Sequence, residues 1–238
     1  MPLKSIALFA GLLPLISVHV TYLVAAYFEH VSWCVPYLEG CTSISKTGRY
    51  SPANYVFRAT IIPSAVFMMI YWKLASQWLV AMGDKQGAIN RAILYLGIIG
   101  AVFLILYATV LGSEGHVYRL LRRYGVIIYF AFTYLAQLLM ASRLLYLVKH
   151  LQVDLPRSIY QVKLGLCVAL LVIGLISLPV RAFYGGDEFN TRLENVVEWN
   201  FALWMTLYFV VTYFAWQATA FEASFSVKES TMRIKNEK

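Results

Sequence analysis

Six long runs of apolar residues alternate with short polar segments along this chain. A helix of roughly 20 apolar residues is long enough to cross the ~30 Å hydrocarbon core of a bilayer. Backbone groups in that core must form their hydrogen bonds within one segment, so each run is expected to be helical. The pattern therefore predicts an all-α polytopic membrane protein with six transmembrane helices in one bundle, over residues 6–28, 55–80, 92–112, 125–147, 162–183 and 196–221.

The composition agrees with a chain that has the bilayer as its solvent. Apolar residues make up 60% of the chain and charged residues 13%, with a mean hydropathy of +0.65, whereas soluble domains contain about 25% charged residues. The first run follows Lys4, exceeds a typical signal-peptide core and lacks a small-x-small cleavage site, so we expect an uncleaved helix. We predict one transmembrane domain over residues 1–224 and an exposed cytoplasmic tail over residues 225–238.

The distribution of Lys and Arg predicts the orientation in the membrane. Twelve of the 20 Lys and Arg residues lie on the side that holds the N-terminus, the 81–91 and 148–161 loops and the tail. Because cytoplasmic loops carry an excess of these residues, both termini of this integral, multi-pass protein are predicted to be cytoplasmic. Basic margins that face anionic lipid also account for the net charge of +8 without a nucleic-acid partner.

Two of the three cysteines lie in the longest predicted outer loop, residues 29–54. Cys34 and Cys41 are separated by six residues and face a side where thiols can oxidise. They form either a disulfide that fixes the loop over the bundle or two free thiols. Cys167 lies inside the fifth span, where we expect a small core residue. The chain has no CxxC pair and no zinc-ligand spacing, so no metal or cofactor site is predicted.

Charged residues that an inert bundle does not need collect at the predicted outer end. Arg58 falls just inside the second span, where it either snorkels to the interface or points into the bundle. Thr191 and Glu194 have the spacing of a capping box that opens the last helix, which places Glu198 about 10 Å along that helix. Glu198 is then an acidic group inside the bundle, either functional or in a structural ion pair with Arg58 or Arg181.

A second group of charged residues lies in the 113–124 segment. If this segment is helical, the spacing i, i+3, i+6 and i+7 places three or four of them on one face; they are His116, Arg119, Arg122 and Arg123. Three arginines on the outer side oppose the positive-inside bias, which indicates that they have partners. Arginine binds phosphate in a bidentate manner, so a phospholipid headgroup is the expected anion. Simple anchoring at the interface is the alternative.

Several catalytic motifs are absent from the sequence, including the G-x-S-x-G elbow, H-E-x-x-H, the P-loop and the Rossmann glycine pattern. Catalysis would therefore need residues from separate helices, and Glu198 and His116 are the candidates for general acid–base work. His19 lies in mid-span, where a lone histidine more often bonds to a neighbouring helix than takes part in catalysis.

Several short motifs resemble those of the Frag/DRAM/Sfk family of polytopic membrane proteins. The first set lies in the outer loop and resembles a proline-tyrosine pair followed by the pattern "ISDTG … PPE … F"; here it is Pro36-Tyr37, Ile44-Ser45-Lys46-Thr47-Gly48, Pro52 and Val56-Phe57. Glu198-Trp199 resembles the "EW" or "EY" of the family's sixth helix. Tyr55-Val56-Phe57-Arg58 and Tyr71-Trp72 are most similar to the post-GPI-attachment lipid-remodelling branch, which includes the Cwh-type N-terminal domain.

The sequence departs from the family pattern at three positions. Lys46 stands in place of an aspartate, and Ala53 stands in place of a glutamate. Arg122 aligns with a histidine that opens the fourth helix of DRAM-type members, and His116, one or two turns earlier, is the available substitute. An acid–base role taken from the family would therefore depend on His116.

The resemblance implies a lipid-related function on the non-cytoplasmic leaflet. The remodelling branch is associated with the exchange of fatty acids on the lipid part of GPI anchors. Arg58 and Glu198, with Trp199 beside the latter, match the family pattern. Together with the basic segment, they give a predicted lipid-headgroup site that comprises Arg58, Arg119, Arg122, Arg123, Arg181 and Trp199, with Glu198 and His116 as candidate catalytic residues.

Three functions remain open on the sequence, and all have a membrane phospholipid or glycolipid as the partner. A lipid-remodelling enzyme would lose turnover but keep its lipid in a Glu198→Gln variant. A scaffold that recruits a protein partner on its cytoplasmic side would depend on residues 226–238 instead. A lipid transporter or scramblase needs a polar stripe across the membrane, and few charged residues lie between His19 and Lys73 to form one.

Overall fold

The computed structural model describes residues 2–85, 87–151, 153–184 and 186–222, with the backbone alone for residues 178–184. All regular secondary structure in these ranges is helical. Six long helices are apolar enough to cross a membrane, which confirms the predicted all-α fold with six membrane spans. With the two short helices α2 and α3, the elements are α1 (Lys4–Tyr27), α2 (Pro36–Glu39), α3 (Ile44–Thr47), α4 (Ala53–Ala81), α5 (Gly87–Val110), α6 (His116–His150), α7 (Arg157–Tyr184) and α8 (Asp187–Ala218).

The six long helices form a closed ring. Each helix packs against its neighbours in the order α1, α4, α5, α6, α7, α8, and α8 packs against α1. In the ring α7 stands between α6 and α8, and these two helices also meet in the interior, where Gln137 of α6 donates to the Met205 carbonyl of α8 at 2.9 Å. We call the end of the bundle that carries residues 28–52 and 111–115 the disulfide end. The short helices α2 and α3 lie at this end, against α8 and α1.

Glycines allow two pairs of helices to approach closely, as is common in membrane bundles. A Cβ atom at Gly97 would lie 2.2 Å from the Trp72 ring, so α4 and α5 pack through this glycine. A Cβ atom at Gly11 would lie 2.7 Å from the Thr206 carbonyl oxygen, where α1 meets α8. These contacts fix the positions of α1 and α5, the two helices on either side of α4.

A layer of buried polar side chains crosses the bundle in the half remote from the disulfide end. The Lys163 ammonium donates to Thr212 Oγ1 at 2.6 Å and to the Tyr208 carbonyl at 3.2 Å. The Tyr71 hydroxyl bonds to Thr212 Oγ1 at 2.8 Å, and the Tyr208 hydroxyl donates to the Gln137 carbonyl at 2.8 Å. We call these five residues the polar layer. It connects α4, α6, α7 and α8 in the interior of the bundle.

All six long helices begin earlier than the apolar runs predicted, and α6 and α8 each do so by nine residues. The 113–124 segment is helical from His116, and α8 begins at Asp187 rather than at residue 196. The predicted capping box at Thr191 is therefore wrong, since the Thr191 hydroxyl lies within the helix and donates to the Asp187 carbonyl at 2.8 Å. An apolar run marks the part of a helix in hydrocarbon, while the helix itself continues into the polar interface. The predicted tail, residues 225–238, lies outside the described residues.

Cys34 and Cys41 form a disulfide, with 6.5 Å between their Cα atoms. The Tyr22 hydroxyl of α1 donates to the Cys34 carbonyl at 2.9 Å and accepts from the Cys34 amide at 2.8 Å. The disulfide alternative that the sequence left open is therefore the one observed. The bond closes a small loop that is held on the end of α1. Cys167 is buried and free.

The disulfide predicts a definite thiol count. In denatured, unreduced protein we expect maleimide to label one cysteine, Cys167, and after reduction all three. Intact-mass spectrometry measures the number of labels. Three labels before reduction would contradict the observed pairing.

The close approach at Gly97 predicts a position-specific cost. We expect Gly97→Ala to destabilise the bundle by about 1–3 kcal/mol, because the added methyl group overpacks against the Trp72 ring. Gly165 is the matched control, since a Cβ atom there meets no atom within 4 Å. Ala is the better helix former, so Gly165→Ala should be neutral or slightly stabilising. Thermal unfolding in one detergent compares both variants with wild type, and equal melting temperatures for the two would contradict the packing.

Candidate functional site

Charged and polar side chains converge at the disulfide end around the hydroxyl group of Tyr107, a buried residue near the end of α5. The charges of Arg49, Arg122 and Glu198 lie around this hydroxyl, and Ser45 lies beside it. Within the described residues the Tyr107 hydroxyl has no hydrogen bond of regular geometry. We call these five residues the Tyr107 cluster. They come from four different parts of the chain, namely α3 with its following turn, α5, α6 and α8.

The short helix α3 places Ser45 and Arg49 in the cluster. Ser43 caps this helix, and its hydroxyl accepts from the Lys46 amide at 3.1 Å. The turn after α3 is tied to α5 by Asn54, whose amide nitrogen donates to the carbonyls of Gly48 at 3.0 Å and Leu111 at 2.8 Å.

Only a glycine fits at position 112, where α5 ends beside this turn. The backbone of Gly112 has a φ of +86°, in the left-handed region. A Cβ atom there would lie 2.4 Å from Asn54 Nδ2 and 2.7 Å from the Arg49 carbonyl oxygen. The close contact brings the Arg49 backbone against the end of α5.

Two arginines are held by carbonyl groups that follow α5. Arg58 Nη2 donates to the Leu111 carbonyl at 2.5 Å, and Arg122 Nη1 donates to the Ser113 carbonyl at 3.4 Å. The carbonyl end of a helix carries partial negative charge and attracts cations. Arg58 therefore points toward the turn after α5, at the disulfide end.

Some N–H donors of the guanidinium groups at this end have no hydrogen-bond partner. The Nε atoms of Arg49 and Arg58 are shielded from solvent and have no hydrogen-bond partner among the described residues. None of the ion pairs between described residues includes Arg49, Arg58 or Arg122. The guanidinium groups of Arg49 and Arg122 lie near each other, with the Glu198 carboxylate in their neighbourhood and Glu194 close to Glu198. This end of the bundle is an electropositive site that can accept an anion.

Glu198 lies half-buried on α8, in the half of the helix nearer the disulfide end. The Ser45 backbone N–H donates toward its carboxylate. The structural ion pair with Arg58, which was the alternative interpretation, is absent from the described residues. The side chain of Arg181 lies outside the described residues.

The basic residues of α6 divide between two environments. Arg122 is half-buried and faces Arg49 and Tyr107. His116, Arg119 and Arg123 are exposed on the first turns of the helix. Of the predicted headgroup residues on α6, the structure brings Arg122 into the Tyr107 cluster, and it does not bring His116 to Glu198.

Trp199 lies on another face of α8 and holds the disulfide loop. Its indole N–H donates to the Thr42 carbonyl at 2.9 Å, and its ring packs against Tyr22, Tyr37 and His19. The residue is 1% exposed. Trp199 therefore fixes the loop that carries α3, and it supports the Tyr107 cluster without being part of it.

His19 is fully hydrogen-bonded in this aromatic group. Its Nδ1 lies 2.7 Å from the Leu15 carbonyl, which can only accept, so Nδ1 carries the proton. Its Nε2 then accepts from the Tyr37 hydroxyl at 3.0 Å. Burial raises the pKa of Tyr37 to about 12, so this hydroxyl keeps its proton at neutral pH. The arrangement agrees with the expectation that His19 bonds to a neighbouring element.

Two apolar spaces border Glu198. The first, the lateral crevice, has a volume of about 520 Å³ between α6, α7 and α8, and its walls include Phe130, Gly174 and Phe201, with Ser45 and Glu198 at the disulfide end. Ile127 lines this crevice and is 50% exposed, so the crevice reaches the side of the bundle. The second, the central chamber, has a volume of about 50 Å³ inside the ring. Both spaces include Val126, Phe130 and Glu198 in their walls.

Sequence reasoning missed three members of this site. Ser45 and Arg49 lie four residues apart in the outer-loop motif, and this spacing was a usable signal. Tyr107 lies in an apolar run and carried no signal.

Among the described residues, no group of three or more His, Cys, Asp or Glu side chains could hold a metal ion. The groups present at the site are guanidinium groups, which can bind an anion, together with a carboxylate and two hydroxyl groups.

Comparison with known proteins identifies the family. No curated protein and no solved structure matches the chain. A family model described as "Frag1/DRAM/Sfk1/Cwh43P N-terminal domain" matches residues 2–219, a range that contains all six membrane-spanning helices. The chain therefore belongs to the Frag1/DRAM/Sfk1/Cwh43P N-terminal domain family.

Proposed function

We propose that this integral membrane protein binds a phosphate-bearing lipid, a phospholipid or a phosphate-containing glycolipid, with its headgroup at the Tyr107 cluster and an acyl chain in the lateral crevice. The single observation that carries the proposal is that Glu198 and Ser45, which belong to the Tyr107 cluster with Arg49 and Arg122, also line the polar end of an apolar crevice. One molecule with a charged end and an apolar chain matches both features. The predicted orientation assigns this lipid to the non-cytoplasmic leaflet.

The arginines supply the headgroup contacts. Guanidinium groups bind phosphate through charge-assisted hydrogen bonds. The free Nε positions of Arg49 and Arg58 leave donors for such bonds, and Arg122 adds a third positive charge. Leaving these donors unpaired at the edge of the hydrocarbon would cost free energy that a bound phosphate offsets.

The crevice supplies the chain contacts. Its volume of about 520 Å³ falls in the range of about 300–1,000 Å³ that is typical of small-molecule sites. Apolar side chains form most of its wall, and its exposed edge at Ile127 would face the acyl chains of the bilayer. A lipid can therefore enter sideways without leaving the membrane.

Acyl-chain remodelling, of phospholipids or of GPI anchors as in the resembling branch, is the more specific function that we propose for this site. Glu198 borders both the headgroup cluster and the crevice, which is where the ester linkage of a bound lipid would lie. A carboxylate at that point can accept a proton from a water molecule that attacks the ester carbonyl carbon. The bond between the acyl carbon and the lipid oxygen then breaks, and the proton passes to the leaving lipid oxygen, which gives a free fatty acid and a lysolipid. The Ser45 and Tyr107 hydroxyl groups are the nearby hydrogen-bonding groups.

The polar layer favours a binding or remodelling site over a transport path. Its side chains bond to one another across α4, α6, α7 and α8, remote from the disulfide end. A transported headgroup would have to break these bonds. A scaffold function would depend on residues 226–238, which lie outside the described residues.

The arginine contacts predict a contrast between adjacent residues. We expect Arg122→Gln to weaken binding of phosphatidic acid about tenfold or more, because a hydrogen bond to a charged group contributes about 1.5–3 kcal/mol. Arg123→Gln is the matched control, since Arg123 is exposed on the same helix and should bind as wild type does. Native mass spectrometry with added lipid measures both. Equal weakening by the two variants, or equal wild-type binding of diacylglycerol with the same chains, would contradict phosphate recognition.

The carboxylate predicts a separation of binding from turnover. We expect Glu198→Gln to keep the lipid and to lose at least about 100-fold in the rate of acyl exchange, the lower range for general acid–base catalysis. Release of a labelled fatty acid from phospholipid in proteoliposomes gives the rate. Lipid binding without turnover in the wild type would contradict remodelling and leave the lipid-binding proposal in place.

A further inference from the structure

The central chamber is an apolar space inside the ring, separate from the lateral crevice. Its wall comes from five long helices, with residues that include Leu15, Ile61, Leu104, Tyr129 and Ala202. Its volume of about 50 Å³ is roughly four times the ~10–15 Å³ that a single water-sized sphere needs. Apolar cavities of this kind stay dry and accept apolar groups.

The chamber adjoins the crevice through a small set of side chains. Val126, Phe130 and Glu198 border both spaces. The Phe130 ring is half-buried and meets the Phe201 ring edge-on at 6.4 Å between centroids. Phe130 therefore lies between the crevice and the chamber, and Glu198 lies at the polar end of both.

Along α8 the chamber reaches deeper into the bundle than the crevice does. On α8 the crevice wall ends at Phe201, whereas the chamber wall continues to Thr206. Five helical residues correspond to about 7.5 Å along the helix axis. A chain that starts near Glu198 and passes Phe130 would thus gain depth by entering the chamber.

The chamber is closed at its deep end. Gln137 donates to the Met205 carbonyl at 2.9 Å, directly next to Thr206 in the sequence, and accepts from the Tyr208 hydroxyl through its own carbonyl. These bonds connect to Thr212 and Lys163 in the polar layer. An alkyl chain cannot replace these hydrogen bonds, so it would stop above the layer.

We propose that the central chamber is a subsite for the methyl end of an acyl chain, and that its depth sets the length of chain that the protein selects. The inference rests on the proposed lipid-binding function and adds a specificity determinant to it. Ala202 and Leu104 lie in the chamber wall, and the sizes of their side chains determine how long an acyl chain can bind.

The test compares the acyl chains of lipids that co-purify with variants expressed in the same membranes. Ala202→Leu fills part of the chamber, and we expect the mean chain length to fall by about two carbons or more. Leu104→Ala enlarges the chamber and should shift the distribution toward longer chains. Ala218→Leu is the control, because Ala218 is exposed near the opposite end of α8 and should retain the wild-type distribution.

Mass spectrometry of the extracted lipids gives the chain lengths, and each outcome decides the proposal. Opposite shifts in the two chamber variants support it. If Ala202→Leu does not fold, a shift toward longer chains in Leu104→Ala is enough to support the proposal. Unchanged chain lengths with lipid still bound would overturn the subsite and leave the lipid-binding proposal intact. Absence of bound lipid from the wild-type protein would overturn both.

Discussion

A polar group without a hydrogen-bond partner in an apolar environment costs several kcal/mol, and this constraint governs the interior of the bundle. In the polar layer, Lys163, Thr212, Tyr71 and Tyr208 satisfy one another across the ring. At the disulfide end the Nε atoms of Arg49 and Arg58 have no partner among the described residues, and the Tyr107 hydroxyl has no hydrogen bond of regular geometry. The unpartnered guanidinium N–H groups at the disulfide end are the physical basis for placing an anionic ligand there.

The same constraint explains what the sequence could predict. An apolar run of about 20 residues in hydrocarbon must be helical in order to form its backbone hydrogen bonds, so the six spans follow directly from the sequence. The starts of α6 and α8 did not follow, because helical residues such as Arg119 and Glu188 lie in the polar interface and interrupt the apolar pattern. Lys163 was also predicted incorrectly. Its position near the start of an apolar run indicated a basic residue at the membrane interface, yet its side chain is completely buried against Tyr208.

The site depends on contacts that no local pattern contains. Arg49, Tyr107, Arg122 and Glu198 are separated by many residues and meet because the ring closes and the disulfide loop lies over it. The adjacent residues Glu198 and Trp199 illustrate this most clearly. They lie about 100° apart around α8, so Glu198 borders the apolar spaces while Trp199 holds the loop through the Thr42 carbonyl. The two adjacent residues of the Glu198-Trp199 motif therefore have different roles.

The location of the acyl chain is the central claim, and photocrosslinking tests it most directly. A phospholipid with a diazirine on one chain is incorporated into proteoliposomes, irradiated, and mapped on the protein by peptide mass spectrometry. We expect crosslinks concentrated on the crevice walls, at residues 126–131 of α6 and 193–201 of α8, with excess unlabelled phospholipid reducing them. Crosslinks spread evenly over lipid-facing residues such as Val20, Ile70 and Val102, and unaffected by competing lipid, would contradict a specific lipid site between α6 and α8.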